Sequence, residues 1–180
     1  MKSRDLDPYI AKYNGWYPTV YDGCIRIVIP ATGDKTEFWQ ARAIDDKWEP
    51  RYDSPPNPKR ETVVFIAPAR IKYDLVASMV LVEGPMDALA AAGEKVLSIA
   101  LMGNNPTNET LHLTNELITG IITRVLILED RDSPGRLAGV MAYFATEMEV
   151  RLASCPSPWK DLAAMPKEKR GDLIRSHLSS

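Results

Sequence analysis

The chain contains 180 residues, of which 45% are hydrophobic and 26% are charged, and its formal net charge is −2. This length suits one compact domain, and no apolar run approaches the ~20 residues that a membrane helix needs. With only two cysteines and two histidines and no zinc-finger spacing, any metal ion must be held by oxygen ligands. The widely spaced cysteines and the lack of an apolar leader predict a reduced, cytoplasmic protein. The near-neutral charge neither favours nor excludes a nucleic-acid partner.

The first part of the chain, residues 1–75, predicts a small β-rich subdomain. Two runs, CIRIVIP at 24–30 and TEFWQARAI at 36–44, flank a polar turn and predict a β-hairpin. Residues 48–60 contain too many prolines for a central strand or a helix, so we expect a loop there. Residues 61–67 form a further apolar run and predict another strand.

The second part, residues 76–165, alternates short apolar runs with helix-like segments. Such alternation is typical of a parallel sheet that is covered by helices on both faces. The sequence therefore predicts an α/β fold with a Rossmann-like sheet, followed by a C-terminal helix within residues 166–180. The predicted strands span residues 77–84, 95–103, 122–130 and 150–156, and the predicted helices span residues 85–93, 108–120, 133–149 and 167–178.

Acidic residues gather where two of these predicted strands end. Glu83 closes one strand and Asp87 falls in the first turn of the following helix, whereas Asp130 and Asp132 follow another strand. Functional groups of such sheets lie beyond the carboxyl ends of the strands, and residues two apart on an extended chain share a face. Carboxylates and water are ligands that Mg²⁺ prefers. The pattern therefore predicts a divalent-metal site, provided that the two strands are neighbours.

Other interpretations of the same residues stay open. Acidic residues are common at strand ends because loops are polar, and Asp87 in a first helical turn also interacts favourably with the helix dipole. Strand-end aspartates occur as well in receiver-type phosphoacceptor domains and in other doubly wound folds. Neither acidic group is specific alone, but their order and their strand–turn–helix contexts together indicate a shared site.

Three segments of the chain together resemble the TOPRIM family. LVEGPMDALA resembles the first TOPRIM motif, a glutamate–glycine pair followed by an aspartate, and LILEDRDSPGRLAG resembles the second, an aspartate–x–aspartate run followed by glycine and arginine. SIALMGNNPT resembles the strand and glycine turn that bacterial-type primases place between them. The resemblance implies Mg²⁺ or Mn²⁺ held by Glu83, Asp87, Asp130 and Asp132, with Glu83, Asp130 and Asp132 as the catalytic residues.

The N-terminal part resembles the segment that precedes the TOPRIM domain in DNA primases. IRIVIPATGDKTEFWQARAID matches its two strands with a closing arginine, and EPRYDSPPN matches the tyrosine-containing stretch that follows. CPSPWKDLAAM resembles a lysine–aspartate pair beyond the last TOPRIM strand, in which Asp161 would approach a metal or the lysine. Stacking on bases is a hypothesis for Trp39, Trp48 and Tyr52. The residues that the resemblance assigns to nucleic-acid or nucleotide binding are Arg42, Arg51, Gly84, Gly103, Arg136 and Lys160.

The resemblance implies a primase-like nucleotidyltransferase that makes RNA primers on a single-stranded DNA template from nucleoside triphosphates. The alternatives are a metal-dependent TOPRIM nuclease and a non-catalytic accessory protein that binds single-stranded nucleic acid. A core without zinc-binding or helicase modules is typical of a phage or mobile-element protein. A separate helicase or zinc-binding subunit is therefore an expected partner, and a membrane is not.

Overall fold

A computed structural model describes residues 5–30, 32–33, 38–45, 47–56, 63–68, 77–103 and 105–179. The described chain forms two β-sheets, and helices pack on both faces of the larger one. The predicted boundary near residue 75 and parts of the predicted hairpin turn, of the loop 48–60 and of the strand 61–67 lie outside the described residues. The strands are β1 (Tyr17–Tyr21), β2 (Cys24–Pro30), β3 (Thr32–Gly33), β4 (Trp39–Ala43), β5 (Tyr52–Asp53), β6 (Val63–Ala67), β7 (Ser78–Val82), β8 (Leu97–Ala100), β9 (Arg124–Glu129) and β10 (Glu149–Ser154). The helices are α1 (Pro8–Tyr13), α2 (Pro85–Ala92), α3 (Asn108–Ile118), α4 (Ala138–Phe144) and α5 (Lys167–Leu178), with a 3₁₀-helix at Leu162–Ala164.

The smaller sheet is antiparallel, with the strand order β1-β2-β4-β5. The predicted hairpin is confirmed, since β2 pairs with β4 and Ile27 lies opposite Arg42. β1 joins β2 through Asp22 and Gly23, whose φ angles of 50° and 73° lie in the left-handed region that two-residue hairpin turns use. The sequence patterns do not predict α1, β1 or β3, and β5 falls within the predicted loop.

The larger sheet has the strand order β10-β9-β7-β8-β6-β3. Strands β10, β9, β7 and β8 run parallel, whereas β6 and β3 join antiparallel at one edge. The chain passes from β7 to β8 on one side and then crosses back to β9 on the other side of β7. This order creates a topological switch point between β7 and β9, which is where open α/β sheets bind their ligands.

Helix α4 is much shorter than the predicted helix 133–149, so that prediction is wrong at both ends. The helix begins only at Ala138, because residues 130–137 form a loop in which Gly135 has a φ of 82°. It ends at Phe144, and β10 begins five residues later. The acidic motif therefore leads into a loop rather than directly into a helix.

Strand β8 is also shorter than predicted, whereas α2 agrees with its prediction. Lys95 and Met102 each have a φ of 61° and lie on either side of β8. Positive φ turns the chain out of the extended conformation, so the strand cannot span 95–103. α2 has Pro85 in its first turn, where the missing N–H leaves no hydrogen bond unmade.

Two hydrophobic clusters lie on opposite faces of the larger sheet. One cluster packs α2 and α5 against the sheet and also includes Trp16 and Ile29 from the N-terminal part. The other packs α3 and α4 against the opposite face. The predicted placement of helices on both faces is therefore confirmed, and the smaller sheet shares a core with the larger one. No helix in the described part of the chain is long and apolar enough to cross a membrane.

Candidate active site

Glu83 and Asp130 lie together at the switch point. Glu83 directly follows β7 and Asp130 directly follows β9, and these strands pair in parallel with Val82 opposite Leu128. Burial raises the pKa of Glu83, and Ser133 donates a hydrogen bond to its Oε1 over 3.3 Å. Burial, followed by the negative charges of Glu83 and Asp161, raises the pKa of Asp130 to about 6. The two strand ends therefore hold a pair of crowded carboxylates.

These carboxylates face a cleft of about 410 Å³ between the two sheets. One wall comes from β4, β5 and the residue before β5, and it carries two arginines. The other wall comes from the ends of β7, β8 and β9, the start of α2 and the segment before the 3₁₀-helix, and it carries the acidic groups and Lys160. The cleft is therefore polar and of a size that small-molecule ligands occupy. The lining residues are Gln40, Arg42, Arg51, Tyr52, Glu83, Gly84, Pro85, Met86, Asp87, Met102, Gly103, Asp130, Lys160 and Asp161.

Asp132 does not line the cleft and forms an ion pair with Lys160. Its Oδ2 lies 2.8 Å from the Lys160 ammonium, and its side chain is 55% exposed. The hydrogen bond from Lys160 lowers the pKa of Asp132, and the same bond raises the pKa of Lys160. β9 ends at Glu129, before the aspartates, so the alternation that would bring both onto one face of an extended strand does not apply.

Asp87 and Asp161 are buried and hold the 3₁₀-helix against the cleft. Asp87 Oδ1 accepts a hydrogen bond from the Ala163 amide over 2.8 Å. Asp161 Oδ1 accepts one from the Ala164 amide over 2.8 Å and so caps the same short helix. Both carboxylates line the cleft, and both fix the segment that carries Lys160.

Glu129 organises the loop that follows β9, and the sequence analysis missed it. Its side chain is 2% exposed. Oε2 accepts a hydrogen bond from the Gly135 amide over 2.8 Å, and Oε1 accepts one from the Leu137 amide over 2.6 Å. In the sequence, Glu129 stands out only as a charged residue that directly follows the apolar run VLIL, and this is the one signal that could have indicated its role.

The cation wall contains Arg42 and Arg51. Arg42 donates a hydrogen bond to the Tyr52 hydroxyl, and its guanidinium lies 5.2 Å from the centre of the Tyr52 ring. The structure thus brings Tyr52 to the cleft, whereas Trp39 lines a separate groove on the opposite face of the smaller sheet. Trp48 is exposed and lies near Gly23 at the hairpin turn.

The remaining predicted contacts lie at different distances from the cleft. Gly84 and Gly103 line it, and the Gly103 amide donates a hydrogen bond to the Glu83 carbonyl over 3.1 Å. Arg136 lies outside the lining, yet its positive charge offsets part of the rise that burial causes in the pKa of Glu83 and adds to the effect of Lys160 in lowering the pKa of Asp132. The structure therefore groups most of the predicted residues at one cleft and sets Asp132 and Arg136 at its margin.

The donor set at the cleft fits a divalent cation that is bound partly by water and substrate. Across the described residues, no three acidic, imidazole or thiol groups converge closely enough to hold an ion by themselves. Mg²⁺, however, typically takes one or two carboxylates together with waters and substrate phosphates. Glu83 and Asp130 provide two crowded carboxylates whose charges favour a cation between them.

The fold defined by these two sheets is that of primase catalytic cores. The chain is similar to the zinc-binding and RNA polymerase domains of the Aquifex aeolicus primase, with a TM-score of 0.71 at 19% identity, over 99% of this chain and 54% of that one. It is similar to the primase domain of bacteriophage T7 gp4 in a complex with the lagging-strand DNA polymerase, an RNA/DNA hybrid and dTTP, with a TM-score of 0.67 at 17% identity, over 100% of this chain and 90% of that one. The primase fragment of the T7 primase-helicase protein gives a TM-score of 0.66 at 15% identity, over 98% of this chain and 72% of that one.

These similarities show the fold alone, because the sequence identities are low. The chain spans about half the length of the Aquifex chain that it matches. No protein-family model matches the sequence, and no curated protein matches it.

Proposed function

We propose that this chain is a TOPRIM-type primase core, a nucleotidyltransferase that makes RNA primers on single-stranded DNA in the cytoplasm. One observation carries the proposal. Glu83 and Asp130 meet at the switch point of the sheet and share a cleft with Arg42 and Arg51. Acidic groups for a metal ion and cations for phosphates are the two requirements of phosphoryl transfer.

In this proposal Glu83 and Asp130 hold Mg²⁺ or Mn²⁺, and the ion supplies positive charge that stabilises the transferring phosphoryl group. Arg42 and Arg51 bind phosphates of the template or of the incoming triphosphate. Lys160 binds a further phosphate once its ion pair with Asp132 has separated. Positioning of these groups, rather than covalent chemistry, is the contribution that the protein makes.

The other predicted residues have supporting roles in the proposal. Asp87 and Asp132 remain candidate metal ligands, although Asp87 binds the Ala163 amide and Asp132 binds Lys160 in this structure. Gly84 and Gly103 let a nucleotide approach the backbone at the cleft, and Arg136 adds positive charge near its margin.

A primer-synthesis assay tests the proposal. The purified protein is incubated with single-stranded templates, labelled nucleoside triphosphates and Mg²⁺ or Mn²⁺, and the products are separated by length. We expect oligoribonucleotides from the wild type and a loss of at least about 100-fold for Glu83→Gln and Asp130→Asn, since each removes a carboxylate that would hold the metal ion, and the positive charge of that ion would stabilise the transition state. Glu116→Gln, at an exposed carboxylate on α3, is the matched control and should keep full activity.

The same assay separates the alternatives. Metal-dependent cleavage of the template without nucleoside triphosphates would identify a nuclease. Single-strand binding that weakens with salt but yields no product, and that Asp130→Asn leaves unchanged, would identify an accessory protein. Either outcome would overturn the primase proposal.

The proposed partners are a single-stranded DNA template, nucleoside triphosphates and a separate helicase or zinc-binding subunit. A phage or mobile-element origin is also part of the proposal, and the chain is similar in fold to primase domains of both a phage and a bacterium. Co-purification of the tagged protein with a replicative helicase or a zinc-binding protein would test the partner proposal.

A further inference from the structure

Gln40 is a buried amide that lines the active-site cleft and that the proposed chemistry does not use. It lies on β4 two residues before Arg42, so both side chains share the face of the smaller sheet that forms the cleft wall. Gln40 is only 9% exposed. Its carboxamide has no hydrogen-bond partner among the residues that the structure describes.

An amide in this position favours a polar ligand. The polar atoms of Gln40 are not among the fully buried side-chain atoms that lack a partner in the described part of the chain, so its carboxamide reaches the open cleft, where a ligand can bind it. Gln40 can regain both kinds of hydrogen bond from a ligand, because it carries an acceptor oxygen and a donor nitrogen. Of the described residues that line the cleft, it is the only carboxamide.

The surroundings of Gln40 suit a flat heterocycle. Met86 and Met102 line the same cleft from the larger sheet, and their thioethers offer polarisable apolar surface. Arg42 and Arg51 provide charge for phosphates. Contacts to phosphate position a nucleic acid but carry no sequence information, whereas hydrogen bonds to base edges do. Gln40 is the group in this wall whose paired donor and acceptor match the edge of adenine.

We propose that Gln40 is a specificity-determining residue that binds the edge of a nucleobase in the cleft and favours adenine. Glutamine accepts a hydrogen bond from the adenine amino group and donates one to a ring nitrogen, which is the bidentate pairing that adenine allows. This inference rests on the proposed function, since it requires a nucleotide in the cleft. The adenine belongs either to the template strand or to the incoming nucleotide, and both present the same edge.

Binding measurements on the full chain test the inference without requiring catalysis. Fluorescence anisotropy gives the affinities for oligo(dA) and oligo(dT) of equal length, and calorimetry gives those for ATP and UTP with Mg²⁺. We expect a preference for adenine of roughly 5- to 100-fold in one of the two arms. The arm that shows it identifies the template or the nucleotide as the source of the base.

Three variants separate base recognition from general binding. Gln40→Met keeps the side-chain length but removes both hydrogen-bonding groups, and it should abolish the adenine preference while changing the affinity for the thymine or uracil ligand by less than about twofold. Gln40→Glu keeps an acceptor but loses the donor, and it should also lose the preference. Arg42→Ala should weaken all ligands alike, because it removes charge rather than base contact.

Each outcome decides between the two proposals. An adenine preference that survives in Gln40→Met, in a variant whose thermal unfolding matches the wild type, overturns this inference, as does equal binding of all bases by the wild type. If a Gln40-dependent preference is found but no primers are made, the inference stands and the catalytic proposal fails. If the wild type binds neither strands nor nucleotides, both fail.

Discussion

In the metal-free protein, Asp130 is ionised at neutral pH although its surroundings disfavour the charge. Its pKa of about 6 lies well above the ordinary aspartate value of 3.8, because the site is partly buried and holds other negative charges. Each pKa unit corresponds to about 1.4 kcal/mol. With an allowance for solvent screening, the ionised carboxylate destabilises the fold by about 1–2 kcal/mol at neutral pH. Such crowding is typical of functional sites rather than of residues that stabilise a fold.

Replacement of Asp130 by asparagine should therefore stabilise the metal-free protein. Asn cannot ionise, so the repulsion from Glu83 and Asp161 is removed, and we expect the Tm at pH 7.5 to rise by roughly 2–6 °C in calorimetry. Asp132→Asn is the matched control. Its carboxylate is stabilised by Lys160, so its loss should leave the Tm unchanged or slightly lower. A lower Tm for Asp130→Asn than for Asp132→Asn would contradict the electrostatic account.

The same destabilising effect of ionised Asp130 should appear in the pH dependence of stability. The pKa of Asp130 is raised in the folded state, so its penalty is absent below the unfolded value of 3.8 and grows as the pH rises through about 6. Lowering the pH from 7.5 to 5 should thus lower the stability of wild type less than that of Asp130→Asn. Urea unfolding of both proteins across this range measures the difference. Equal pH profiles would show that Asp130 titrates normally.

At the scale of elements, the loop between β9 and α4 depends on one buried carboxylate. Glu129 binds the Gly135 and Leu137 amides and so holds the segment that carries Asp132 and Ser133. Ser133 in turn donates a hydrogen bond to Glu83. Glu129 thus positions the acidic site through the loop, although it does not line the cleft.

Glu129→Gln should destabilise the protein by about 1.5–3 kcal/mol, because two hydrogen bonds to a charged acceptor are weakened and the new amide donor faces an amide N–H. Hydrogen exchange of the Gly135 and Leu137 amides should accelerate more than that of amides in α3. Glu116→Gln, on the exposed face of α3, is the control and should change neither stability nor exchange. Unchanged protection of the loop amides would remove Glu129 from this role.

The sequence predicted the elements whose signals are local. Parallel strands such as β7 and β9 are continuous apolar runs, and the acidic residues after them stand out, so the Glu83–Asp130 pair could be located in advance. β1 lacks such a signal, because the side chains of YPTVY are exposed on both faces. The start of α4 depends on hydrogen bonds from Glu129 to amides that lie six and eight residues further along the chain. In the sequence, Gln40 has the pattern of an ordinary polar residue in a hairpin. Those features depend on tertiary structure and were missed.

At the scale of the molecule, the two sheets share one hydrophobic core. Ile29 of the smaller sheet belongs to the same cluster as Val80 of the larger sheet and Leu89 of α2. Residues that pack into one core usually unfold together. We therefore expect the N-terminal part and the parallel sheet to behave as one cooperative unit rather than as two units that unfold separately.

A matched pair of core substitutions tests this expectation. Ile29→Ala, in the cluster that both sheets share, and Ile118→Ala, in the cluster on the opposite face, remove the same atoms from sites that are 0% and 1% exposed. Each should lower the free energy of unfolding by about 2–5 kcal/mol in a single transition. Hydrogen exchange of the β9 amides should accelerate equally in both. A separate early transition in Ile29→Ala would mean that the N-terminal part unfolds alone.

The bond between Lys160 and Asp132 has a consequence for how an anion would come and go. The ammonium keeps its charge but is already paired with the Asp132 carboxylate before any ligand arrives, so an incoming phosphate exchanges one negative partner for another. The free energy gained when the phosphate binds is therefore small. When the phosphate dissociates, the Asp132 carboxylate can pair with Lys160 again. A lysine held in this way favours rapid turnover of its ligand over tight retention.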